Sequence, residues 1–155
     1  MDVMNNNIEF VEFDRRFLDC SFRWLSNTEI KRLTDSPDIN ECEQEKWYVS
    51  LSKRKDYYIK GIQYNGLPIG AVGIKNIDSD SGEYWGYIGE KDYWGQGIGK
   101  LMILQMIKDA RDVFSLKSLH LKVLHDNDRA ISLYAKMGFN AESDDGKFFI
   151  MTLFL

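Results

Sequence analysis

The sequence predicts an α+β fold (mixed α/β), in which helices flank a central sheet of parallel and antiparallel strands. Two observations support this fold class. Strand and helix patterns follow one another in the order β, α, α, β, β, β, α, β, α, β, which lacks the regular alternation of a doubly wound parallel sheet. The pair Asn65-Gly66 joins two strand patterns and signals a hairpin. The length fits a single domain over residues 1–155.

In the N-terminal half, the alternating residues 8–13 predict a short strand and residues 15–25 predict a helix. The apolar face of that helix consists of Phe17, Leu18, Phe22 and Leu25. Pro37 marks a turn, after which a second helix is expected at about residues 41–53. Two strands then meet at the Asn65-Gly66 turn.

In the C-terminal half, a helix pattern follows a glycine-rich segment. Its buried face consists of Leu101, Ile103, Leu104, Ile107 and Ala110. A second helix has the sequence DRAISLYAKMGF, in which Gly138 occupies the position expected for a helix end. Strands are predicted at residues 82–90, 116–124 and 147–155, with room for a short extra strand at 139–142.

The composition argues against several classes of protein. The net charge of −4 argues against a nucleic-acid-binding protein. No run approaches the ~18 apolar residues of a membrane span, and the polar N-terminal stretch lacks the layout of a signal peptide. The two cysteines have no CxxC spacing and predict neither a metal site nor a disulfide framework, so we expect a cytoplasmic protein.

Three glycines at alternate positions, Gly95, Gly97 and Gly99, lie between a strand pattern and a helix pattern. The first N–H groups of a helix lack intrahelical partners and carry the positive end of the helix dipole, so glycines that expose them favour an anion such as pyrophosphate. The Rossmann spacing would need a glycine in place of Lys100, and the P-loop would need one in place of Trp94. A tight turn without a ligand is the alternative interpretation.

Two segments resemble hallmarks of the GNAT superfamily of acyl-CoA N-acetyltransferases. Residues 93–102 (YWGQGIGKLM) resemble its pyrophosphate loop, Arg/Gln-x-x-Gly-x-Gly/Ala, and residues 127–139 (NDRAISLYAKMGF) resemble its second motif. The strand before the loop is similar to the corresponding strand in the subgroup that contains the ribosomal-protein alanine and polyamine acetyltransferases. Trp94 departs from the Arg or Gln that is usual at the first loop position. The loop binds mainly through backbone N–H groups, so the site is still expected.

The resemblance implies a mostly antiparallel sheet with about four helices and a splayed strand pair that binds acetyl-CoA as a co-substrate, with no metal. The backbone of Tyr87, Ile88 and Gly89 would pair with the pantetheine arm like an added strand. The pyrophosphate would be held by Gln96, Gly97, Ile98, Gly99 and Lys100. Asn127 would hydrogen-bond the cofactor, and Tyr134 would protonate the departing thiolate. A helix N-cap for Asn127 and a core aromatic for Tyr134 are the alternatives.

Direct attack by an amine on a thioester needs a base that removes the ammonium proton. Glu83 is the candidate, but alignment through the glycines places Tyr84 where relatives often carry Glu. Strand alternation would then turn Glu83 to the opposite face unless a β-bulge restores it. His125 is a second candidate, with a loop histidine as its alternative, and His120 is expected to be structural.

The N-terminal half is similar to that of GNAT enzymes that acetylate amino groups of nucleotide-linked sugars. The residues expected to bind such an acceptor are Arg23, Trp24, Trp47, Tyr84 and Trp85. An aromatic ring would stack a base and an arginine would hold a phosphate, whereas the alternative is that the tryptophans pack the helices and the arginine is solvated.

Other acceptors and one other class of function remain open. Protein N-terminal acetylation is the runner-up, and polyamines are less favoured because no dense acidic cluster replaces the aromatics. A non-catalytic acyl-CoA-binding module belongs to a different class. The protein is expected to be a monomer or a homodimer.

Overall fold

The computed structural model describes residues 7–155 and contains one seven-stranded sheet with helices on both faces. Residues 1–6, which belong to the predicted domain and to the N-terminal stretch judged unlike a signal peptide, lie outside the described residues. The strands are β1 Ile8–Glu12, β2 Tyr58–Tyr64, β3 Leu67–Lys75, β4 Ser81–Ile88, β5 Ser118–Leu124, β6 Asn140–Asp144 and β7 Phe148–Phe154. The helices are α1 Arg15–Leu25, α2 Thr28–Thr34, α3 Glu41–Ser50, α4 Ile98–Asp112 and α5 Asp128–Lys136.

The strand order is β1-β2-β3-β4-β5-β7-β6, and β4 with β5 is the one parallel pair among the described residues. That pair is short and ends at Glu83↔His120. β4 continues along β3 as far as Ile88, and β5 continues along β7 as far as Leu124. The two strands therefore separate beyond Glu83 and leave a wedge-shaped gap in the middle of the sheet.

Each face of the sheet has its own apolar core. On one face, α4 and α5 pack on the central strands, and Met102, Ile103 and Met106 are at most 4% exposed. On the other face, Phe17 and Trp24 of α1 pack on Ala71 of β3, with α3 at the edge of the cluster. The mixed, mostly antiparallel sheet predicted from the sequence is confirmed.

The structure corrects three details of the element prediction. α2 was not predicted, and its seven residues contribute one buried side chain, Ile30. Its N-cap is Asn27, whose side chain accepts hydrogen bonds from the N–H groups of Glu29 and Ile30. The predicted helix 41–53 ends its α-helical part at Ser50 and continues as a short 3-10 turn. The short extra strand at 139–142 is a full edge strand, β6.

Candidate active site

A cleft of about 1330 Å³ runs through the gap between β4 and β5. Its walls come from β3, β4, β5 and the helices on both faces of the sheet. The predicted site residues that line it are Trp47, Glu83, Tyr84, Trp85, Tyr87, Ile88, Gly97, Ile98, Gly99, Lys100, Asn127 and Tyr134. Four others, Arg23, Trp24, Gly89 and Gln96, are not among its lining residues.

The glycine-rich loop forms one end of the cleft, and its glycines differ in purpose. Gly95 and Gly97 adopt φ values of +75° and +83°, which favour glycine. Gly97 is the N-cap of α4. Because glycine has no side chain, no side-chain oxygen of the N-cap accepts the first N–H groups of the helix. At Gly99 a Cβ would lie 3.2 Å from Leu133, so this glycine allows α4 to approach α5. The N-terminus of α4 thus borders the cleft without a side-chain cap, as an anion site requires.

The end of β4 presents alternate backbone groups to the gap. The N–H of Gly89 donates to Ile69, and Tyr87 pairs with Ala71, so the polar groups of Tyr87 and Gly89 point toward β3. By the same alternation, those of Gly86 and Ile88 point toward the gap. The sequence prediction assigned Tyr87, Ile88 and Gly89 alike to the pantetheine arm; of these three, only Ile88 turns its backbone to the gap.

Trp94 occupies the first loop position and contacts this edge directly. Its indole Nε1–H donates to the carbonyl of Ile88 at 2.8 Å. The ammonium group of Lys91 lies over the Trp94 ring, 5.4 Å from its centroid. The residue that departs from the usual loop pattern therefore ties the loop to the end of β4.

Tyr134 reaches the cleft from α5 on the α4 face of the sheet. Its ring meets that of Tyr84 edge-on, with centroids 6.0 Å apart. Burial raises the pKa of Tyr134 to about 12, so the phenol is protonated at neutral pH. Asn127, on the same helix, lines the cleft and also caps α5 by accepting the N–H of Ala130.

Glu83 lies on the opposite face of β4 from Tyr84. The β3–β4 ladder runs from Gly70↔Ile88 to Lys75↔Glu83 without a register shift, so no bulge turns Glu83 back. Its carboxylate lies 3.7 Å from Lys75, 3.7 Å from His120 and 3.3 Å from the amide of Asn76. Burial opposes ionisation, but the His120 contact and the charge of Lys75 together keep the pKa of Glu83 below its usual value.

His125, the second candidate base, lies away from the cleft. Its Nε2 is 2.7 Å from Asp144, and its ring lies 4.3 Å from that of Phe149. His125 is not among the residues that line the cleft.

Aromatic rings form the wall beside Glu83. Trp47 meets Tyr57 edge-on at 6.0 Å, and Tyr57 packs against Trp85 at 5.9 Å. Tyr57 was not singled out from the sequence, although it belongs to the same wall; it precedes β2, where a strand pattern gives no indication of side-chain function. Tyr84, predicted as an acceptor residue, is 4% exposed and faces Tyr134 instead.

Arg23 and Trp24 have a different place from the one predicted. Both donate to the same carboxylate oxygen of Glu90, at 2.6 Å, and Trp24 is 1% exposed. This placement favours the alternative interpretation, in which Trp24 packs α1 on the sheet and Arg23 lies at the surface.

Two negative findings apply to the described part of the chain. Residues 7–155 contain no group of three or more His, Cys, Asp or Glu side chains arranged to hold a metal ion. No helix in the same range is long and apolar enough to cross a membrane.

The sequence profile of the acetyltransferase (GNAT) family matches residues 21–139. The chain belongs to this family. Its cleft, glycine loop and splayed strands are accordingly those of an N-acetyltransferase of the GNAT family, as the sequence predicted.

Two relatives illustrate the range of similar sequences. An uncharacterized protein of Methanocaldococcus jannaschii is 29% identical over 79% of this chain, but the match spans only 26% of that protein's length. A probable spermine N(1)-acetyltransferase of Bacillus subtilis subsp. natto is 27% identical, with 74% of this chain and 90% of the relative covered.

Two solved structures share the fold. The Campylobacter jejuni N-acetyltransferase PseH in complex with acetyl coenzyme A has a TM-score of 0.75 at 19% identity, covering 95% of this chain and 98% of that one. The Vibrio cholerae spermidine N-acetyltransferase in complex with CoA and spermine has a TM-score of 0.87 at 18% identity, covering 97% and 96%. At these identities the likeness concerns the fold.

Proposed function

We propose that this GNAT acetyltransferase transfers the acetyl group of acetyl-CoA to the primary amine of a nucleotide-linked sugar by direct attack. The observation that carries the proposal is the gap beyond Glu83↔His120. It brings the uncapped N-terminus of α4 and the phenol of Tyr134 to one side of β4, and Glu83 with an aromatic wall to the other side.

The loop residues provide for the phosphate groups of the co-substrate. The N–H groups of the first turn of α4, from Ile98 to Lys100, suit a pyrophosphate because they are otherwise unpaired and lie at the positive end of the helix dipole. Lys100 adds a positive charge beside them. The carbonyl of Ile88 already accepts a hydrogen bond from Trp94, whereas its N–H and the side chain of Asn127 face the same space and suit the pantetheine amides.

The chemistry assigns opposite tasks to Glu83 and Tyr134. The substrate ammonium gives a proton to the Glu83 carboxylate, directly or through water, and the neutral amine forms its new bond to the acetyl carbonyl carbon. The carbon–sulfur bond breaks, and the departing thiolate takes the proton of the Tyr134 hydroxyl. The second proton, which the nitrogen loses as it becomes an amide, restores the Tyr134 hydroxyl directly or through water. The pKa of Glu83 is lowered and that of Tyr134 is raised, so each group is in the required state at neutral pH.

The charges around Glu83 support a nucleotide-linked sugar over a polyamine. A polyamine carries several positive charges and needs several carboxylates, whereas Glu83 is paired with Lys75 and His120. Trp47 and Tyr57 offer flat apolar faces suited to a sugar or a base. A polyamine acceptor is the second candidate, because the Bacillus subtilis relative and the Vibrio cholerae structure carry polyamine names.

The test measures acetyl-CoA turnover with a panel of amino-sugar nucleotides, peptides with free N termini, and polyamines. The release of free thiol is the readout. Turnover that is fastest with the amino-sugar nucleotides is expected. Preference for spermine would replace the acceptor assignment, and tight CoA binding without turnover on any amine would favour a non-catalytic acyl-CoA-binding module.

A further inference from the structure

A carboxylate lies between two lysines on the side of the cleft formed by α2 and β5. Asp35, at the C-terminal end of α2, is 3.9 Å from the ammonium group of Lys122 and 3.6 Å from that of Lys147. Both ammonium groups also lie over the ring of Phe148, at 4.9 and 5.3 Å from its centroid. The cluster thus comprises an anion held by two cations above an apolar surface.

The position of this cluster relative to Glu83 is set by the sheet. His120, which pairs with Glu83, and Lys122 point to the same face of β5 because they are two residues apart. The separation along the strand is about 7 Å, and it falls beyond the point where β4 and β5 part. Lys122, Asp35 and Phe148 all line the cleft. A substrate with its amine at Glu83 would extend toward the lysines.

The contacts of Asp35 are of a kind that a ligand displaces easily. The side chains of Lys122, Asp35 and Lys147 are 39%, 48% and 66% exposed, and exposed ion pairs at these distances contribute little free energy. α2 has a separate attachment, because its Ile30 side chain is buried, with 2% of its surface exposed. The lysines can therefore exchange partners without releasing the helix.

We infer that Lys122 and Lys147 form a phosphate subsite for the acceptor, and that the Asp35 carboxylate holds the two ammonium groups together until a phosphate replaces it. This inference rests on the proposed function and specifies which side chains recognise the charged part of the acceptor. A phosphate has more charge and more acceptor oxygens than the single carboxylate it replaces, which favours the exchange.

The experiment measures binding of uridine diphosphate by calorimetry to protein saturated with CoA, so that the N-terminus of α4 is already occupied. The double variant Lys122→Gln/Lys147→Gln is expected to bind about tenfold more weakly than wild type. Asp35→Asn is expected to bind more tightly, because it removes the competing carboxylate. The control Lys108→Gln/Lys117→Gln loses the same charge from two exposed lysines that pair with Asp112 and Asp80 instead of Asp35, and it is expected to bind as wild type does.

Inorganic pyrophosphate in place of uridine diphosphate is expected to rank the variants in the same order, since the subsite recognises phosphate. Undiminished binding by the Lys122/Lys147 variant, or weaker binding by Asp35→Asn, overturns the inference. Thiol release measured on the same preparations separates the two proposals. Amine turnover with no lysine-dependent phosphate binding contradicts the subsite alone, whereas CoA binding with no turnover on any amine contradicts the proposed function.

Discussion

Tyr134 and Glu83 approach the cleft from opposite faces of β4, and their surroundings shift the two pKa values in opposite directions. Tyr134 is enclosed by Tyr84 and Phe139, whose rings offer no partner for a phenolate. Glu83 instead has a lysine and a histidine within 3.7 Å. These shifts keep Glu83 ionised, so that it can accept a proton, and keep Tyr134 protonated, so that it can donate one.

Replacing Tyr134 with Phe is expected to lower kcat by about 100-fold or more, with little change in the affinity for acetyl-CoA, because only the proton donor is lost. Steady-state kinetics and calorimetry on one preparation measure the two quantities. Tyr64→Phe, at the end of β2 and outside the cleft lining, is the control and should retain wild-type kcat. An unchanged kcat in Tyr134→Phe would remove Tyr134 from the mechanism.

Glu83 also makes folding stability depend on pH. Its pKa is lower in the folded protein than in the unfolded chain, so its contribution is present above the unfolded value of about 4.3 and is lost as pH falls through the folded value. Glu83→Gln is therefore expected to lower Tm more at pH 7 than at pH 3. Thermal unfolding at the two pH values measures this, and an equal Tm difference at both would contradict the ion-pair assignment.

At the scale of elements, the glycine loop and the hairpin have a glycine in the same backbone conformation, but the two glycines have different structural roles. Gly97 and Gly66 have φ values of +83° and +82°, and a Cβ at either position would meet no atom within 4 Å. Gly66 closes a turn in which Asn65 also has positive φ, as the hairpin signal required. Gly97 instead opens the N-terminus of α4 toward the cleft.

This match allows a controlled test of the loop. Gly97→Ala and Gly66→Ala are each expected to lower the free energy of unfolding by about 1 kcal/mol, because alanine is strained at positive φ. Only Gly97→Ala is expected to weaken CoA binding, by about tenfold. Urea denaturation and calorimetry measure the two effects; equal CoA affinity in both variants would mean that the backbone at Gly97 does not contact the ligand.

The sequence predicted the elements with strong local signals and missed those without. The glycine loop, α4 and the hairpin carry turn residues or a long apolar face. α2 has seven residues and a single buried side chain, too little for a periodic pattern. The resemblance assigns Arg23 and Trp24 to the acceptor, and no local signal in the sequence shows that Glu90, 67 residues after Arg23, binds both. The aromatic wall and the lysines of the phosphate subsite likewise depend on contacts between distant strands.

At the scale of the whole molecule, α1 is fixed to the sheet where the glycine loop begins. A Cβ at Gly89 would lie 2.2 Å from the Trp24 ring, far inside van der Waals contact. The indole N–H of Trp24 also binds Glu90, the next residue. The helix layer on one face of the sheet therefore determines the direction in which the chain enters the loop that serves the other face.

Gly89→Ala is accordingly expected to destabilise the protein by about 1–3 kcal/mol, because a rigid ring must move to admit the methyl group. Gly99→Ala is the comparison, since its methyl group would meet the mobile end of Leu133 at 3.2 Å and should cost less. Urea denaturation gives both values. A smaller loss for Gly89→Ala than for Gly99→Ala would show that the Trp24 contact is not close-packed in solution.

The early parting of β4 and β5 divides the sheet into two antiparallel half-sheets, β1-β2-β3-β4 and β5-β7-β6, joined by three residue pairs and a crossover helix. Because few backbone pairs cross this seam, we expect local opening motions there. A ligand bound in the gap would contact both β4 and β5 and so link two half-sheets whose strands pair with each other only at one end of the seam. The hydrogen-exchange rates of the Gly86 and Ile88 amides should therefore fall on CoA binding by more than those of amides in the middle of either half-sheet.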